Sequence, residues 1–380
     1  MDNTQLIQVG NVTYTNKYNL PAPMFKALTN PSYVSEGDIS VTTLIGPPRV
    51  RLFKRHFEHT VDATENIWAL FGSAVHFIIE RATELDRLNQ LVLSRKIYLD
   101  LINVITNEMY SGVWNDAWQN PVVQLIYNRY AAFESEIKNF PSRYVSEIRH
   151  FVEINGWKLS ATPDLYDKEE ETLYDYKTTS VWKWIKQKEE GQVDLSDYKS
   201  AQFYKGVWDW RLQTNIYAQI LRNNGYKVSK IKIIPILKDW SKNEAARNLD
   251  FPTSQSEPIE IRLMGSKDII DYCHWRVQLH QENEAKFNVD PQSTDICARH
   301  ERWATPESIA VYSKKDASKA TKVFKINQPK DKDDAAMFLM EALKASPTAW
   351  MEERPGLNTR CDGYCPMNTK CNFYISTLKK

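Results

Sequence analysis

Thiols are missing from the first 272 residues of this 380-residue chain: its five cysteines are Cys273, Cys297, Cys361, Cys365 and Cys371. No run approaches the roughly 18 to 20 apolar residues of a membrane helix. The amino terminus, MDNTQLIQVGNVTYTN, also lacks a basic start followed by an apolar stretch. Together these absences lead to the expectation of a cytoplasmic protein. A charge excess is lacking as well, because 49 Lys and Arg meet 48 Asp and Glu for a net +1. Any nucleic-acid contact must therefore come from a local basic groove rather than from bulk charge. There is no Walker P-loop and no helicase region, which leaves ATP-driven unwinding to a partner. Internal repeats and low-complexity segments are also absent. With 42% hydrophobic, 26% charged and 12% aromatic residues, the composition is that of a folded globular protein and excludes a disordered tail or a repeat array.

Residues 1–39, rich in Asn, Thr, Pro and Ser, read as an arm. A core is expected over 40–290 and a small subdomain over 291–380, with Asp290-Pro291 as the boundary. Ser40 is placed to cap a short helix that Gly46, Pro47 and Pro48 interrupt. Apolar recurrence predicts helices over 66–85, 94–108, 115–138, 200–223 and 267–288. Between them, 144–154, 157–167 and 172–177 read as an antiparallel strand set. It is punctuated by Asn155-Gly156 and by the acidic run Lys168 to Glu171. Residues 230–237 (KIKIIPIL, with Pro235 at a bulge or edge) and 259–264 add strands. Two more are expected at 309–312 and 321–324, with a helix over 334–343.

The stretch LSATPDLYDKEEETLYDYKTT, residues 159–179, carries the chemistry. Residues two apart on a strand face one side, so Asp175 and Lys177 project together, while Tyr176 turns its side chain away and leaves its carbonyl oxygen available. Hairpin pairing then brings Asp164 alongside Asp175. Two carboxylates and a main-chain oxygen make a hard-oxygen site for magnesium or manganese. A lysine beside that ion can polarise an attacking water and stabilise charge growing on a phosphate. A polar hairpin edge would look the same in isolation, so the neighbouring motifs decide the weighting. Gly72-x3-His76 lies in an apolar helix, with Glu80 one turn on. A lone histidine there is more often a core residue. Gln213-x3-Tyr217 places an amide and a phenol on one face, where they can bind a phosphate or orient the lysine.

Taken in chain order, G-x3-H, P-D, D-x-K and Q-x3-Y, the set resembles the RecB-type branch of the PD-(D/E)xK nucleases. That group includes RecB and AddB nuclease domains, CRISPR-adaptation nucleases and many phage exonucleases. The residues carrying the resemblance are Gly72, His76, Pro163-Asp164, Asp175-Tyr176-Lys177-Thr178-Thr179, Gln213 and Tyr217, within residues 40–240. It implies an α/β fold with a restriction-endonuclease-like core, a mixed sheet flanked by helices. It also implies Asp164, Asp175 and the Tyr176 carbonyl as metal ligands, His76 as a further ligand, and Lys177 as the catalytic lysine. Gln213 and Tyr217 would support the site, with Glu147 a weaker candidate for the same role.

Cys361-x3-Cys365-x5-Cys371 gathers three soft ligands in a loop with Asp362, Gly363 and Pro366, residues that let a backbone wrap an ion. Without an export signal, metal ligation is expected before disulfides. Cys297 is the first choice for a fourth ligand and His300 its competitor, because Cys297-x2-His300 has zinc-like spacing. Several RecB-type nucleases hold an iron-sulfur cluster by one early cysteine and a late C-x2-C-x5-C. This chain has one extra residue in the first gap and no cysteine near Ile45-Gly46-Pro47-Pro48-Arg49. A structural 4Fe-4S cluster is favoured over zinc. Cys273 reads as an ordinary buried residue.

Aromatic and basic residues interleave in VWKWIKQK, residues 181–188, and at Tyr204, Lys205, Trp208, Trp210 and Arg211. Trp182, Lys183, Trp184 and Lys186 are expected to grip single strands by stacking and phosphate contact, with 183–200 as a flap. Arg49, Arg51, Lys54 and Arg55 form a second basic patch. The expected function is a metal-dependent, sequence-independent DNA exonuclease of phage-type recombination, repair or replication. It would act on single strands or duplex ends, with a helicase or single-strand annealing protein as partner. A catalytically silent nucleic-acid-binding or assembly protein and an RNA nuclease are the alternatives.

Overall fold

A computed structural model describes residues 6–29, 36–110, 119–136, 143–188 and 209–378. Strands β1 (Leu6–Val9) and β2 (Val12–Thr15) form a hairpin, and β2 pairs in parallel with β4 (His59–Asp62). The amino-terminal stretch thus contributes to a three-stranded sheet, against which α1 (Ala22–Thr29) packs Phe25 and Leu28 onto Ala63. Strand β3 (Ile39–Ser40) runs into α2 (Val41–Leu44), where the Ser40 hydroxyl accepts the Thr43 N–H at 3.3 Å as an N-cap. Helix α3 (Pro48–His56) follows at once, with proline in its first turn. The two helices expected over 66–85 and 94–108 are one, α4 (Ile67–Tyr110), because neither Gly nor Pro occurs between residues 73 and 110 to break it. Helix α5 (Pro121–Glu136) packs against it.

Two of the expected strands are each divided. Residues 144–154 give β5 (Tyr144–Ser146) and β6 (His150–Ile154), while 157–167 give β7 (Trp157–Ala161) and β8 (Leu165–Asp167). Strands β6 and β7 join through Asn155 and Gly156, both at positive φ (50° and 75°), as a two-residue primed turn requires. They pair with β3 in one sheet. Strands β5 and β8 belong to another, of order β11-β10-β9-β8-β5, with β9 (Thr172–Thr179), β10 (Lys230–Leu237) and β11 (Ile259–Ile261). The chain therefore passes between the sheets twice, after Ser146 and after Ala161. The two crossings are tied: Glu147 N–H donates to the Pro163 carbonyl at 3.2 Å and the Ser146 hydroxyl donates to the Asp164 carbonyl at 3.0 Å.

The central sheet is mixed. Strand β9 is antiparallel to β8 but parallel to β10, and the crossover between β9 and β10 contains α6 (Val181–Lys188) and α7 (Asp209–Asn223). The predicted helix start at residue 200 lies outside the described residues. Pro235 sits two residues beyond Ile233, the last residue of β10 that β11 pairs, so its missing N–H breaks no bond of that ladder. Leu159, Leu173, Ile216, Ile220, Ile231 and Ile233 fill the core between sheet and helices. After α8 (Lys242–Ala245) comes α9 (Ser266–Val289). A carboxy-terminal sheet of order β13-β12-β14 follows, from β12 (Ser308–Tyr312), β13 (Lys322–Lys325) and the unforeseen β14 (Trp350–Arg354). Helix α10 (Pro329–Ala345) covers it through Ala335, and α11 (Thr359–Gly363) and α12 (Asn372–Thr377) end the chain. Among the described residues, no helix is long and apolar enough to cross a membrane. The molecule is an α/β protein with mixed sheets flanked by helices.

Helix α9 fastens this assembly. Arg276 donates to the carbonyls of Leu44 and Gly46 at 2.9 and 2.5 Å, satisfying the exposed end of α2, and lies 3.6 Å from Glu301 of the carboxy-terminal part. His280 Nε2 lies 3.2 Å from the Leu44 carbonyl and its Nδ1 is buried without a partner. Burial, then the neighbouring Arg276 and Arg51 charges, push its imidazole down to about 3. It is neutral in the fold, whereas the unfolded chain protonates it below about 6.5. Stability is therefore fully present above pH 6.5 and falls as pH drops towards 3. At pH 5 the loss from this residue is about 2 kcal/mol. Urea denaturation at pH 7 and pH 5 checks this: His280→Gln should lose less stability than wild type between the two values.

Candidate active site and cysteine cavity

The crossing between sheets and the β8–β9 hairpin place the acidic groups. Leu165 pairs with Tyr174, so Asp164, one residue earlier, stands opposite Asp175. The turn between the strands is pinned by Asp167, whose carboxylate accepts the N–H groups of Glu169 and Glu170 and a two-pronged contact from Arg143. Asp164 is buried, and its Oδ2 accepts the Tyr176 N–H at 2.6 Å. Asp175 is 1% exposed. Its Oδ2 lies 2.8 Å from Lys177 Nζ, and its Oδ1 has no hydrogen-bond partner among the described residues.

His76 reaches the same spot from α4. Its Nδ1 lies 3.2 Å from Glu147 Oε1 and 3.5 Å from Asp164 Oδ1. One ligand atom each from His76, Glu147 and Asp164 lie within 4.8 Å of one another, a group that does not include Asp175. Glu147, a minor candidate by sequence, is thus a full member. It sits at φ +52°, in the left-handed region that non-glycine residues rarely adopt. That backbone turn ends β5 and aims the carboxylate at His76, and no local sequence pattern announces it. Tyr176, between Asp175 and Lys177 on β9, packs its ring edge-on against His76, with centroids 6.1 Å apart at 80°. Helix α4 packs against β9 and gives that ring its partner.

The electrostatics are those of anions crowded together. Burial, with Asp175 alongside, pushes the Asp164 carboxyl up to about 7, against Lys177, His76 and the Tyr176 N–H. The Glu147 hydrogen bond raises His76 above its usual value despite burial. Burial works to lower the Lys177 ammonium, but Asp175 and Asp164 outweigh it and hold its pKa above the ordinary lysine value. From α7, Gln213 Nε2 donates to the Tyr217 hydroxyl at 2.8 Å. Burial and then Asp175 push that phenol up to about 12, so it stays protonated beside the Asp175–Lys177 pair. An imidazole nitrogen with several carboxylate oxygens, one of them buried and unpartnered, suits manganese or magnesium.

Of the residues expected to grip a single strand, Trp184 is corrected. Trp184 is 1% exposed, and its Nε1–H donates to the Glu257 carbonyl at 2.9 Å. Residues 181–188 are a helix, so two tryptophans two apart point in opposing directions. Trp182 is outward at 64% exposure. Lys183 lies over the core ring of Trp210 at 5.7 Å, and Lys186 is half-buried. The rest of the supposed flap and Tyr204, Lys205 and Trp208 lie outside the described residues. Arg49 is not part of a basic surface either. It is buried and donates to the Thr294 carbonyl at 2.6 Å and to Gln292 at 2.7 Å, joining α3 to the carboxy-terminal part.

Cys297, Cys361, Cys365 and Cys371 line one cavity together with Arg49, Phe53, Arg302 and Met367, and all four are free thiols. Cys365 and Cys371 pack on Leu52, Phe53, Phe287 and Met367. Burial, then Glu301 and Cys365, push the Cys297 thiol up to about 12, and Cys361 is raised by burial and Cys365. His300, the competing ligand, does not line the cavity. Arg49 and Val50 do, together with Cys297 from a distant segment. Cys273 is buried alone in α9, its thiol pushed up to about 12 by burial.

No family model matches the chain, and no curated protein does. Among solved structures, one similar chain is described as the crystal structure of SSO0001. It is 12% identical with a TM-score of 0.28, over 67% of this chain and 84% of that one.

Proposed function

We propose that the protein is a metal-dependent, sequence-independent DNA nuclease, exonucleolytic in mode, with a structural 4Fe-4S cluster on its four clustered cysteines. The observation that carries the reading is the convergence of His76, Glu147 and Asp164 beside the buried Asp175–Lys177 pair. These carboxylates and His76 would hold manganese or magnesium, which when bound supplies a Lewis acid and lowers the pKa of a water. Lys177, fixed by Asp175, is positioned to orient that water and to offset charge growing on the phosphate. Tyr217, held by Gln213, keeps Lys177 and Asp175 in register. Labelled single-stranded DNA, duplex DNA and RNA incubated with Mn2+ or Mg2+ test this, and inertness towards all three defeats it.

For the cysteines, the support is their shared cavity, where Arg49, Arg302 and Lys54 nearby would offset the negative charge of a thiolate-held cluster.

His76 sets the metal preference. A nitrogen donor favours manganese over magnesium, so His76→Ala should weaken Mn2+ binding roughly 10- to 100-fold and Mg2+ binding less. Calorimetric titration without DNA reads both.

A further inference from the structure

Trp68, Gly72 and His76 occupy positions i, i+4 and i+8 of α4. They form a row along the helix, about 12 Å from end to end at 1.5 Å rise per residue. One end is the metal-binding cluster. At the other, Trp68 is 59% exposed, Lys238 Nζ lies 3.8 Å from its ring centroid, and Phe71 meets it edge-on at 6.3 Å. Lys238 follows β10 directly, and its N–H donates to the Thr179 carbonyl at the end of β9. The cation therefore stands on the same rim as the strand that carries Asp175 and Lys177. Between the two ends Gly72 leaves a gap, since a Cβ there would meet nothing within 4 Å. Glycine weakens a helix interior relative to alanine, and here neither a turn, a positive φ nor a neighbouring backbone calls for it.

We propose that this row is the entry track for an unpaired nucleic-acid strand. A base stacks on Trp68 with Phe71 beside it, and Lys238 faces a backbone phosphate. The sugar-phosphate chain crosses bare Gly72, presenting the next phosphate to the His76, Glu147 and Asp164 cluster. The inference rests on the nuclease reading and adds the form of its substrate: a single strand or frayed end, because a base held inside a duplex offers no free face. Stacking of this kind tolerates any base, in keeping with a sequence-independent enzyme.

The test measures binding and cleavage separately in the full-length protein. Binding is read by fluorescence anisotropy of labelled oligothymidylate, and of the same oligomer with abasic residues, in EDTA. Cleavage is read with Mn2+. Trp68→Ala and Gly72→Leu should each weaken oligothymidylate binding roughly 10-fold or more. KM should rise in step and kcat stay within about threefold, whereas Trp68→Phe should restore binding. Wild type should discriminate against the abasic oligomer, and Trp68→Ala should not. Gly72→Leu should melt no lower than wild type, since leucine is the better helix former, so its defect cannot be attributed to unfolding. Unchanged binding in Trp68→Ala, unchanged KM in Gly72→Leu, or no oligonucleotide binding by wild type overturns the track. Absence of cleavage by a wild type that binds, with the variants weakened as stated, removes the nuclease reading and leaves the track standing.

Discussion

Asp164→Asn should abolish the proposed DNA cleavage, by roughly 1,000-fold or more, yet the protein without metal should melt no lower than wild type. The two outcomes belong together because Asp164 accepts the Tyr176 N–H at 2.6 Å, a bond that an asparagine oxygen also accepts. At the same time, the carboxyl is pushed up to about 7 by burial and by Asp175. Removing a charge that the fold resists, while keeping its hydrogen bond, relieves the folded state. Asp175→Asn and Lys177→Ala should lose activity to a similar degree but behave differently in the melt. Asp175 and Lys177 face each other at 2.8 Å, buried, so deleting either partner strands the other charge. Destabilisation of about 3 to 5 kcal/mol is expected for each. Labelled-DNA cleavage with Mn2+, beside thermal denaturation in EDTA, measures both quantities. Variants that cleave as fast as wild type would remove these residues from catalysis.

On the proposed cluster, Cys361→Ser or Cys371→Ser should leave the protein without iron and loosen the anchoring of residues 361–378. The anaerobically purified wild type should be brown, with broad absorption near the visible blue, and each variant colourless. The cysteines also form part of the packing that seats the end of the chain. Cys365, Cys371 and Met367 pack on Leu52, Phe53 and Phe287, and Gln292 links to the Lys370 carbonyl at 2.9 Å and to the Asn372 N–H at 3.2 Å. Losing a structural metal centre costs several kcal/mol at least. Limited proteolysis should therefore release the carboxy-terminal part of the variants while sparing Cys273→Ser, whose thiol stands alone in α9. Stoichiometric zinc without iron in wild type would refute the cluster.

Features set by neighbours in sequence were readable without coordinates. Ser40 caps α2, Asn155-Gly156 turns β6 into β7, and the D-x-K triplet lies on a strand opposite Asp164. Each depends on local dihedral preference or on the two-residue repeat of a strand. What escaped depends on distant partners. Glu147 is aimed by a left-handed backbone turn tied to Pro163, which lies 16 residues on. Trp184 is buried because a helix forms where a flap was expected and Glu257 offers a carbonyl. Arg49 lies in a run of basic residues but is committed to Thr294 and Gln292, more than 240 positions away. The parallel pairing of β9 with β10 likewise follows from the helical crossover, which strand periodicity does not encode.

The two tied passages from one sheet to the other have a mechanical consequence. Glu147 and Asp164 sit at the seam itself, whereas Asp175 and Lys177 ride on β9 within a single sheet and His76 on a separate helix. The spacing of the acidic groups is therefore a gauge of how closely the layers mate. A small slip along that joint would spread these side chains while every strand stayed intact, so at the proposed metal site loss of cation affinity would be the earliest sign that the layers have begun to part.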